Sequence, residues 1–231
     1  MRVVTWNLLH RVHAMNWSEP AIATHASEPA RIAAITTWIP ELEGDVVCLQ
    51  EVSGDQLAAL RDHGELFVHT HPRLPHDRFG TSQLVDLSEH LVTICRRPAR
   101  RVTSETYPTD NGKGFLVVEC DGVFVINTHV SFGEHHAAQC ARLAEISQTY
   151  PAVVIVGDFN DDRAACGMRL GTLFTAAIPT VERPTRPRTD PRSKSEVIDH
   201  VFVANCTATD VEVLAGGGLS DHHPVTATIT R

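Results

Sequence analysis

Short apolar runs alternate with polar segments along the chain and predict a set of β-strands. They cover residues 3–6, 46–49, 91–95, 115–119, 123–127, 152–156, 197–203 and 225–229. The run 46–49 is continuously apolar, which is typical of a strand buried on both faces. The segment Cys120-Asp121-Gly122 separates two of the runs and predicts a hairpin turn.

Helical spacing of apolar residues appears between several of these strands. In residues 28–39, Pro29 suits the first turn of a helix and Pro40 ends it. Residues 54–62 and 134–149 predict two further helices. We expect the inward positions to be Ile32, Ile35, Ile39, Ala138, Leu143 and Ile146. Because strands, helices and a hairpin are interleaved, the pattern indicates the α/β (α+β) class, with mixed sheets packed face to face and helices outside.

Composition limits the protein to ordinary globular classes. The 231 residues, 42% hydrophobic and 21% charged, suit one domain spanning residues 1–231. The formal charge of −8 argues against nucleic-acid binding through bulk charge, although it leaves room for a local basic patch. No Cys-x-x-Cys pair indicates a zinc ribbon. The sequence shows no secretory leader pattern and no apolar run near the roughly 18 residues of a membrane span. We therefore expect a cytoplasmic monomer with reduced cysteines.

Six polar motifs mark the ends of the predicted strands. They are the segments ending at Asn7 and at Glu51, Asn127-Thr128-His129, Gly157-Asp158-Phe159-Asn160, Ile198-Asp199-His200, and Ser220-Asp221-His222-His223-Pro224. Each motif alone is common turn chemistry. That explanation has to hold independently six times, however, so the set favours a shared functional site.

The residue types match what phosphoester hydrolysis requires. Charge on the phosphoryl oxygens must be neutralised, water activated and the leaving oxygen stabilised. Asn7, Glu51 and Asp221 offer oxygen ligands for a hard cation, Mg²⁺ or Mn²⁺. Asp158 can orient or deprotonate water, and Gly157 before it permits a tight turn.

The remaining motif residues can act on the phosphate. Asn160 can hold a phosphoryl oxygen, and His222 can hydrogen-bond the phosphate and stabilise charge in the transition state. Asp199 can fix the tautomer of His222 and raise its pKa. His129 can serve as a second phosphate ligand or as an acid.

In this order, from Thr5 to Pro224, the motifs resemble those of the endonuclease/exonuclease/phosphatase superfamily. The resemblance implies a deoxyribonuclease I-like fold, a four-layer α/β/β/α sandwich. It also implies that Asn7 and Glu51 hold the metal, with Asp221 close to it. By the same resemblance Asp158 aligns water, Asn160 contacts the phosphate and Asp199 pairs with His222.

A glutamate at the head of one strand extends the resemblance. Members of the family place a glutamate there to orient the histidine that matches His129, which implies the same role for Glu89; the alternative is a solvated carboxylate. The chain departs from the family in being short. It also lacks the Trp-x-Asp-Arg signature of the inositol-polyphosphate and tyrosyl-DNA branches and a long basic insertion for abasic sites.

Two basic segments and two histidines leave alternatives open. Residues 181–196 predict a loop in which Arg186 and Arg188 either position a phosphate-rich substrate or lie in solvent; its other cations are Arg183, Arg192 and Lys194. A histidine- and arginine-rich stretch, residues 69–78, predicts a second loop that could border the same site. His10 and His13 are either polar loop residues or ligands of an extra transition metal.

These patterns predict a Mg²⁺- or Mn²⁺-dependent phosphoesterase. We expect a nuclease acting on DNA or RNA first, and a phosphatase or phosphodiesterase for a small metabolite or lipid headgroup as the alternative. A noncatalytic binding module is the third reading, disfavoured because every core motif position is filled.

Overall fold

The computed structural model describes residues 1–188 and 194–231. The strands are β1 (Arg2–Asn7), β2 (Val46–Ser53), β3 (Glu65–Thr70), β4 (Glu89–Cys95), β5 (Ala99–Thr106), β6 (Gly114–Cys120), β7 (Val123–His129), β8 (Val153–Asp158), β9 (Thr175–Ala176), β10 (Asp199–Ala204), β11 (Thr207–Val213) and β12 (Val225–Thr230). The helices are α1 (Arg11–Trp17), α2 (Glu28–Trp38), α3 (Gly54–Ala59), α4 (His136–Ser147) and α5 (Arg163–Leu170). Short 3₁₀ turns cover Pro20–Thr24, Ile39–Leu42 and Gly133–His135.

Within the described residues, the strands form two mixed sheets of six strands each. The first sheet has the order β11-β12-β1-β2-β4-β3, and the second β5-β6-β7-β8-β10-β9. Neighbouring strands are antiparallel except for β1 with β2 and β7 with β8, which are parallel. The predicted mixed sheets with helices outside are thus confirmed.

The core divides into three apolar layers, as a four-layer sandwich requires. Valines from both sheets fill the space between them, among them Val3, Val118 and Val154. Helix α2 packs Ile35 against Trp6 on the outer face of the first sheet, and α4 packs Leu143 on the outer face of the second.

A small polar layer joins the sheets near the motif edge. The Nε2 of Gln50 donates to Oδ1 of Asn127 at 2.8 Å and to the Thr5 hydroxyl at 3.0 Å. The Nδ2 of Asn127 donates to the carbonyl of Val92 at 3.0 Å. Both amides are fully buried, so these motif residues tie the two sheets together and do not reach a substrate.

Several local predictions were wrong. Residues 69–70 belong to β3 and are not loop, and His13 lies in α1 with His10 as its N-cap, which replaces the polar loop considered for these histidines. Ala138 is exposed, while Gln139 takes its place on the buried face of α4 because its side chain bonds the Ser131 backbone. Strands β5 and β11 were missed because charged and threonine residues on their exposed faces hide the apolar alternation. The predicted Arg192 of the basic loop lies outside the described residues.

Three cysteines of the strands lie in the core between the sheets. Cys48, Cys95 and Cys120 are buried free thiols that pack among its valines. Across residues 1–188 and 194–231, no helix has the length and apolarity that crossing a bilayer requires.

Candidate active site

Two pairs of parallel strands deliver four motif residues to one edge of the sandwich. In the first sheet β1 ends at Asn7 beside β2, which carries Glu51 just past its partner position. In the second sheet His129 and Asp158 are register partners at the ends of β7 and β8. The Nδ2 of Asn7 donates to Oδ2 of Asp158 at 3.0 Å, which closes the edge across the two sheets.

Asp158 is fixed by donors on both of its oxygens. Besides Asn7, the backbone N–H of Asn160 donates to Oδ1 at 2.9 Å. Asn160 holds a left-handed φ of 53°, and its Nδ2 donates to the carbonyl of Val130 at 2.9 Å. The carboxylate is therefore oriented before any substrate arrives.

Gly157 allows two strands to approach closely, so the predicted tight turn at this glycine is wrong. Its φ is +152°, and a Cβ placed there would lie 1.9 Å from the carbonyl oxygen of Thr128. Only glycine fits this position, which sets the distance between His129 and Asp158.

A β-bulge in β2 presents Glu51. The register with β4 shifts between Leu49 and Val52, and Glu51 itself has a φ of +53°. A bulge redirects side chains and commonly accompanies a functional site. One carboxylate oxygen of Glu51 accepts from the backbone N–H of His10 at 3.1 Å, and the other lies 3.8 Å from Nε2 of His129.

His222 and Asp199 form a buried pair on the opposite side of Asp158. The Nδ1 of His222 and Oδ2 of Asp199 are 2.8 Å apart, and Nε2 lies 3.9 Å from Oδ2 of Asp158. The indole N–H of Trp6 donates to the backbone carbonyl of His222 at 3.0 Å. The ring is therefore held with Nε2 directed toward Asp158. We call the site formed by Glu51, His129, Asp158, Asp199 and His222 the basin.

Burial and neighbouring charges shift the pKa values of three residues in the basin. Burial acts to lower the pKa of His222, but Asp199 and then Asp221 oppose it and raise the pKa to about 10. Burial raises the pKa of Asp158 to about 6, with the charge of His222 opposing this change. For Glu51, burial acts to raise the pKa, but His13, His129 and Lys113 outweigh it and hold the pKa at about 2.

Lys113, which the sequence analysis did not select, lies against His129. Its Nζ is 2.6 Å from Nε2 and 2.9 Å from Nδ1 of the ring. Burial, and after it the charge of Lys113, lowers the pKa of His129 well below its usual range. The neutral form of the His129 ring is therefore favoured over the charged form. In the sequence, Lys113 is marked only by its position just before the run 115–119. Many surface lysines precede a strand in the same way, so this position does not indicate a site residue.

Asp221 and Arg186 are brought together at the rim of the basin. The Nε of Arg186 donates to Oδ2 of Asp221 at 2.9 Å, and Oδ1 of Asp221 lies 4.0 Å from Nε2 of His222. Arg186 also pairs with Glu196 at 3.6 Å. The side chain of Arg188 is exposed, and its backbone N–H donates to the Ser195 hydroxyl.

Glu89 has a partner other than the expected one. It opens β4 as predicted, but its Oε2 lies 2.7 Å from Nε2 of His13, which stands on α1. In this structure His129 takes its hydrogen-bond contact from Lys113 instead. The expected Glu89–His129 contact is therefore corrected, because the missed helix α1 brings His13 to Oε2 of Glu89.

Within the described residues, two groups have ligand atoms within 4.8 Å of one another. They are Glu51, His129 and Asp158, and Asp158, Asp199 and His222. The first group contains two carboxylates that face each other with Asn7 beside them, a donor set that suits a hard divalent cation. Asp221 lies outside both groups, because its carboxylate is bound to Arg186.

Comparison with known proteins agrees with this geometry. A family model described as "Endonuclease/Exonuclease/phosphatase family" matches residues 4–222. A search of curated protein sequences gave no significant match.

Three solved structures illustrate the shared fold. TDP2 from D. rerio, complexed with a single-strand DNA product, is 15% identical, with coverage of 100% of this chain and 99% of that chain and a TM-score of 0.69. An endonuclease/exonuclease/phosphatase from Bacteroides vulgatus is 18% identical, with coverage of 99% and 98% and a TM-score of 0.66. ANGEL2, a 2′,3′-cyclic phosphatase, is 15% identical, with coverage of 99% and 94% and a TM-score of 0.67. Since the family model covers most of the sequence, this chain belongs to the Endonuclease/Exonuclease/phosphatase family.

Proposed function

We propose that the protein is a divalent-metal-dependent phosphodiesterase that acts on nucleic acid. The observation that carries the proposal is the position of Asp158. Its carboxylate lies between Glu51 and His129 on one side and the His222–Asp199 pair on the other, and all of these side chains are buried except Glu51, which is partly exposed. A basin of this kind presents negative, neutral and positive groups to one small volume.

Glu51 and Asn7 are the residues that would hold the cation, Mg²⁺ or Mn²⁺. Glu51 is an anion with one oxygen directed at the basin. Asn7 lies beside it, with Nδ2 on Asp158 and Oδ1 accepting from the backbone N–H of Leu9 at 2.8 Å, so its oxygen would reach the cation only after the amide rotates. When bound, the cation would neutralise negative charge on the phosphoryl oxygens. Asp221 contributes further negative charge from the rim.

Asp158 orients the attacking water and accepts its proton. A general base is most effective when its pKa lies near the working pH, and burial raises that of Asp158 to about 6. The donors from Asn7 and Asn160 hold both oxygens, so the carboxylate keeps its direction during the reaction.

His222 binds a phosphoryl oxygen as a cation. Asp199 accepts the Nδ1–H, which leaves the Nε2–H as a donor toward the basin. Asn160 lies on the other side with His129 and Lys113, its Nδ2 being 3.3 Å from Nε2 of His129. Charge that develops on the phosphoryl group thus meets donors that are already in place.

Two substrate classes have specific support. The D. rerio TDP2 structure contains single-strand DNA product, and a shared fold favours a nucleic-acid substrate. The charge of −8 and the 2′,3′-cyclic phosphatase ANGEL2 favour a small phosphoester as the second candidate. Arg186 and Arg188 at the rim could contact further phosphates of either substrate.

The test combines a substrate panel with matched substitutions. Purified protein is assayed with single- and double-stranded DNA, RNA, cyclic nucleotides and phosphate monoesters in Mg²⁺ or Mn²⁺. We expect Asp158→Asn to lower kcat by about 10²–10⁴-fold, the usual value of general-base catalysis. Asp210→Asn is the matched control, because Asp210 is exposed and its left-handed φ of 49° suits asparagine.

The outcomes separate the candidates. Cleavage of polynucleotide that falls with rising salt supports a nuclease, whereas turnover of small phosphoesters alone supports the second candidate. Full metal-dependent activity in Asp158→Asn, or in Glu51→Gln, would refute the assigned chemistry.

A further inference from the structure

The chain that leaves β7 passes from the basin to the protein surface within three residues. Val130 and Ser131 are 0% and 5% exposed, whereas Phe132 is 73% exposed. A single exposed apolar residue is common on protein surfaces, so exposure alone does not indicate a site. Phe132 is set apart by its position, since three residues of chain place its Cα at most about 11 Å from that of His129.

Hydrogen bonds to the site hold the backbone just before Phe132. The N–H of Val130 donates to the carbonyl of Asp158 at 2.9 Å. The carbonyl of Val130 accepts from Nδ2 of Asn160, also at 2.9 Å. The exposed ring therefore follows a backbone that is tied to two residues of the site, and a ligand that contacts the ring has little chain to order.

The side chain of Ser131 joins this segment to a basic part of the surface. Its hydroxyl donates to Oδ2 of Asp110 at 2.8 Å, and Oδ1 of that carboxylate lies 3.1 Å from Nη1 of Arg73. The side chain of Arg73 remains 59% exposed. Lys113, three residues after Asp110, contacts the ring of His129. We call the surface formed by Arg73, Lys113 and Phe132 the Phe132 rim.

The side chains of the Phe132 rim match the two parts of a nucleotide. In proteins that bind single strands, cations contact the phosphates and aromatic rings stack on the bases. Because the rim adjoins the basin, a strand with a phosphate in the basin brings a neighbouring base to Phe132. Stacking on a ring is also compatible with the net charge of −8, which opposes binding through bulk charge.

We propose that Phe132 stacks on an unpaired base of the substrate strand, so that the enzyme selects single-stranded over double-stranded nucleic acid. In a duplex the faces of an internal base are covered by neighbouring bases, whereas a single strand can offer a face to the ring. Arg73 binds a phosphate of the same strand and adds affinity without reading the base. This inference rests on the proposed function, because it concerns which nucleic acid the basin receives.

The experiment compares three matched substrates with the full chain. They are a fluorescently labelled single-stranded oligonucleotide, the same strand in a duplex, and the same strand with abasic sites in place of its bases. We expect Phe132→Ala to raise KM for the intact single strand by about 5–150-fold, the ratio that corresponds to about 1–3 kcal/mol for one stacked base, and to leave kcat unchanged. KM for the duplex and for the abasic strand should be nearly unchanged, since neither offers a base face to the ring.

Further variants separate stacking from other effects. Phe132→Trp keeps an aromatic ring and should retain the wild-type KM, whereas Phe132→Leu keeps an apolar side chain without a ring and should raise it. Arg73→Gln should raise KM for the intact and the abasic strand alike, because it removes a phosphate contact. Phe79→Ala is the matched control, since Phe79 is a 60% exposed phenylalanine between β3 and β4. Circular dichroism verifies that each variant is folded.

The outcomes distinguish this inference from the proposed function. A wild-type preference for the single strand that Phe132→Ala removes supports the inference. Cleavage of the single strand with an unchanged KM in Phe132→Ala overturns it and leaves the proposed function standing, and so does an equal rise in KM for the abasic strand. Failure of the wild-type protein to cleave any polynucleotide overturns both.

Discussion

A single buried arginine connects helix α2 to two segments of the proposed site. Arg31 is fully buried, and it donates from Nε and Nη2 to the two oxygens of Glu28 at 2.9 and 2.6 Å. It also donates to the carbonyls of Leu8, Leu9 and Leu219, each at 2.8 Å. These carbonyls follow Asn7 and precede the Ser-Asp-His motif, so one cation fixes both segments.

Substituting Arg31→Met keeps an unbranched apolar stem in place of the arginine methylenes and removes all five hydrogen bonds. The substitution leaves Glu28 buried, with Arg11 at 3.5 Å as its one remaining cationic partner among the residues that the structure describes. Removing one member of a buried ion pair costs about 3–5 kcal/mol. For a domain of this size a loss of 1 kcal/mol lowers Tm by about 2–4 °C, so we expect Tm to fall by about 6–20 °C.

The assays are thermal unfolding for Tm and urea unfolding for the free energy, both followed by circular dichroism, with Arg61→Met as the control at an exposed arginine. The double variant Arg31→Met with Glu28→Met should recover part of the loss, because no unpaired carboxylate then remains in the core. An Arg31→Met protein within about 1 kcal/mol of wild type would refute the reasoning, since surface pairs alone have that magnitude.

Three further predictions concern the basin and its support. Gly157→Ala should destabilise the protein by about 2–6 kcal/mol in urea, because the new Cβ meets the carbonyl of Thr128 and the backbone is strained; an unchanged midpoint contradicts this. Lys113→Met should raise the pKa of His129, since that lysine lowers it after burial; ¹⁵N NMR titration of the ring measures the change, and a lower pKa counts against the contact. Burial lowers the pKa of His200 to about 4 in the fold, from 6.5, so its stabilising effect is present above pH 6.5 and is lost as pH falls toward 4. His200→Phe should reduce this acid-dependent loss, at most about 3 kcal/mol, in unfolding curves between pH 4 and 7, and equal slopes in both proteins would count against it.

The sequence predicted those parts of the fold in which the pattern of apolar residues has a single structural explanation. The continuous run 46–49 and the spacing of Ile32, Ile35 and Ile39 can be explained only by burial, and the structure buries them. Strand β5 could not be found in this way, because arginines 100 and 101 are exposed at its start. Helix α1 was missed since His10 and His13 resemble loop residues until tertiary contacts supply their partners.

The sequence predicted which residues form the site better than it predicted the contacts between them. Motif order identified the residues that converge around Asp158, since strand ends at one sheet edge must lie close together. The contacts of Lys113 and the exchange of His129 for His13 at Glu89 depend on side chains from distant segments. Sequence spacing carries no information on such pairings.

The left-handed backbone at position 51 favours glycine, whereas the proposed metal binding requires a carboxylate there. A residue with a Cβ in this conformation is strained by about 1–3 kcal/mol, whereas burial of the anion is outweighed by the charges of His13, His129 and Lys113, which favour it and hold its pKa at about 2. Glu51→Gly relieves the backbone strain but leaves these groups and the His10 N–H without their carboxylate, and Glu51→Gln keeps the strain. We expect both variants to be inactive and the glycine variant to melt at a higher temperature than the glutamine variant. A glycine variant that melts below the glutamine variant would show that the bulge is supported by the side chain itself.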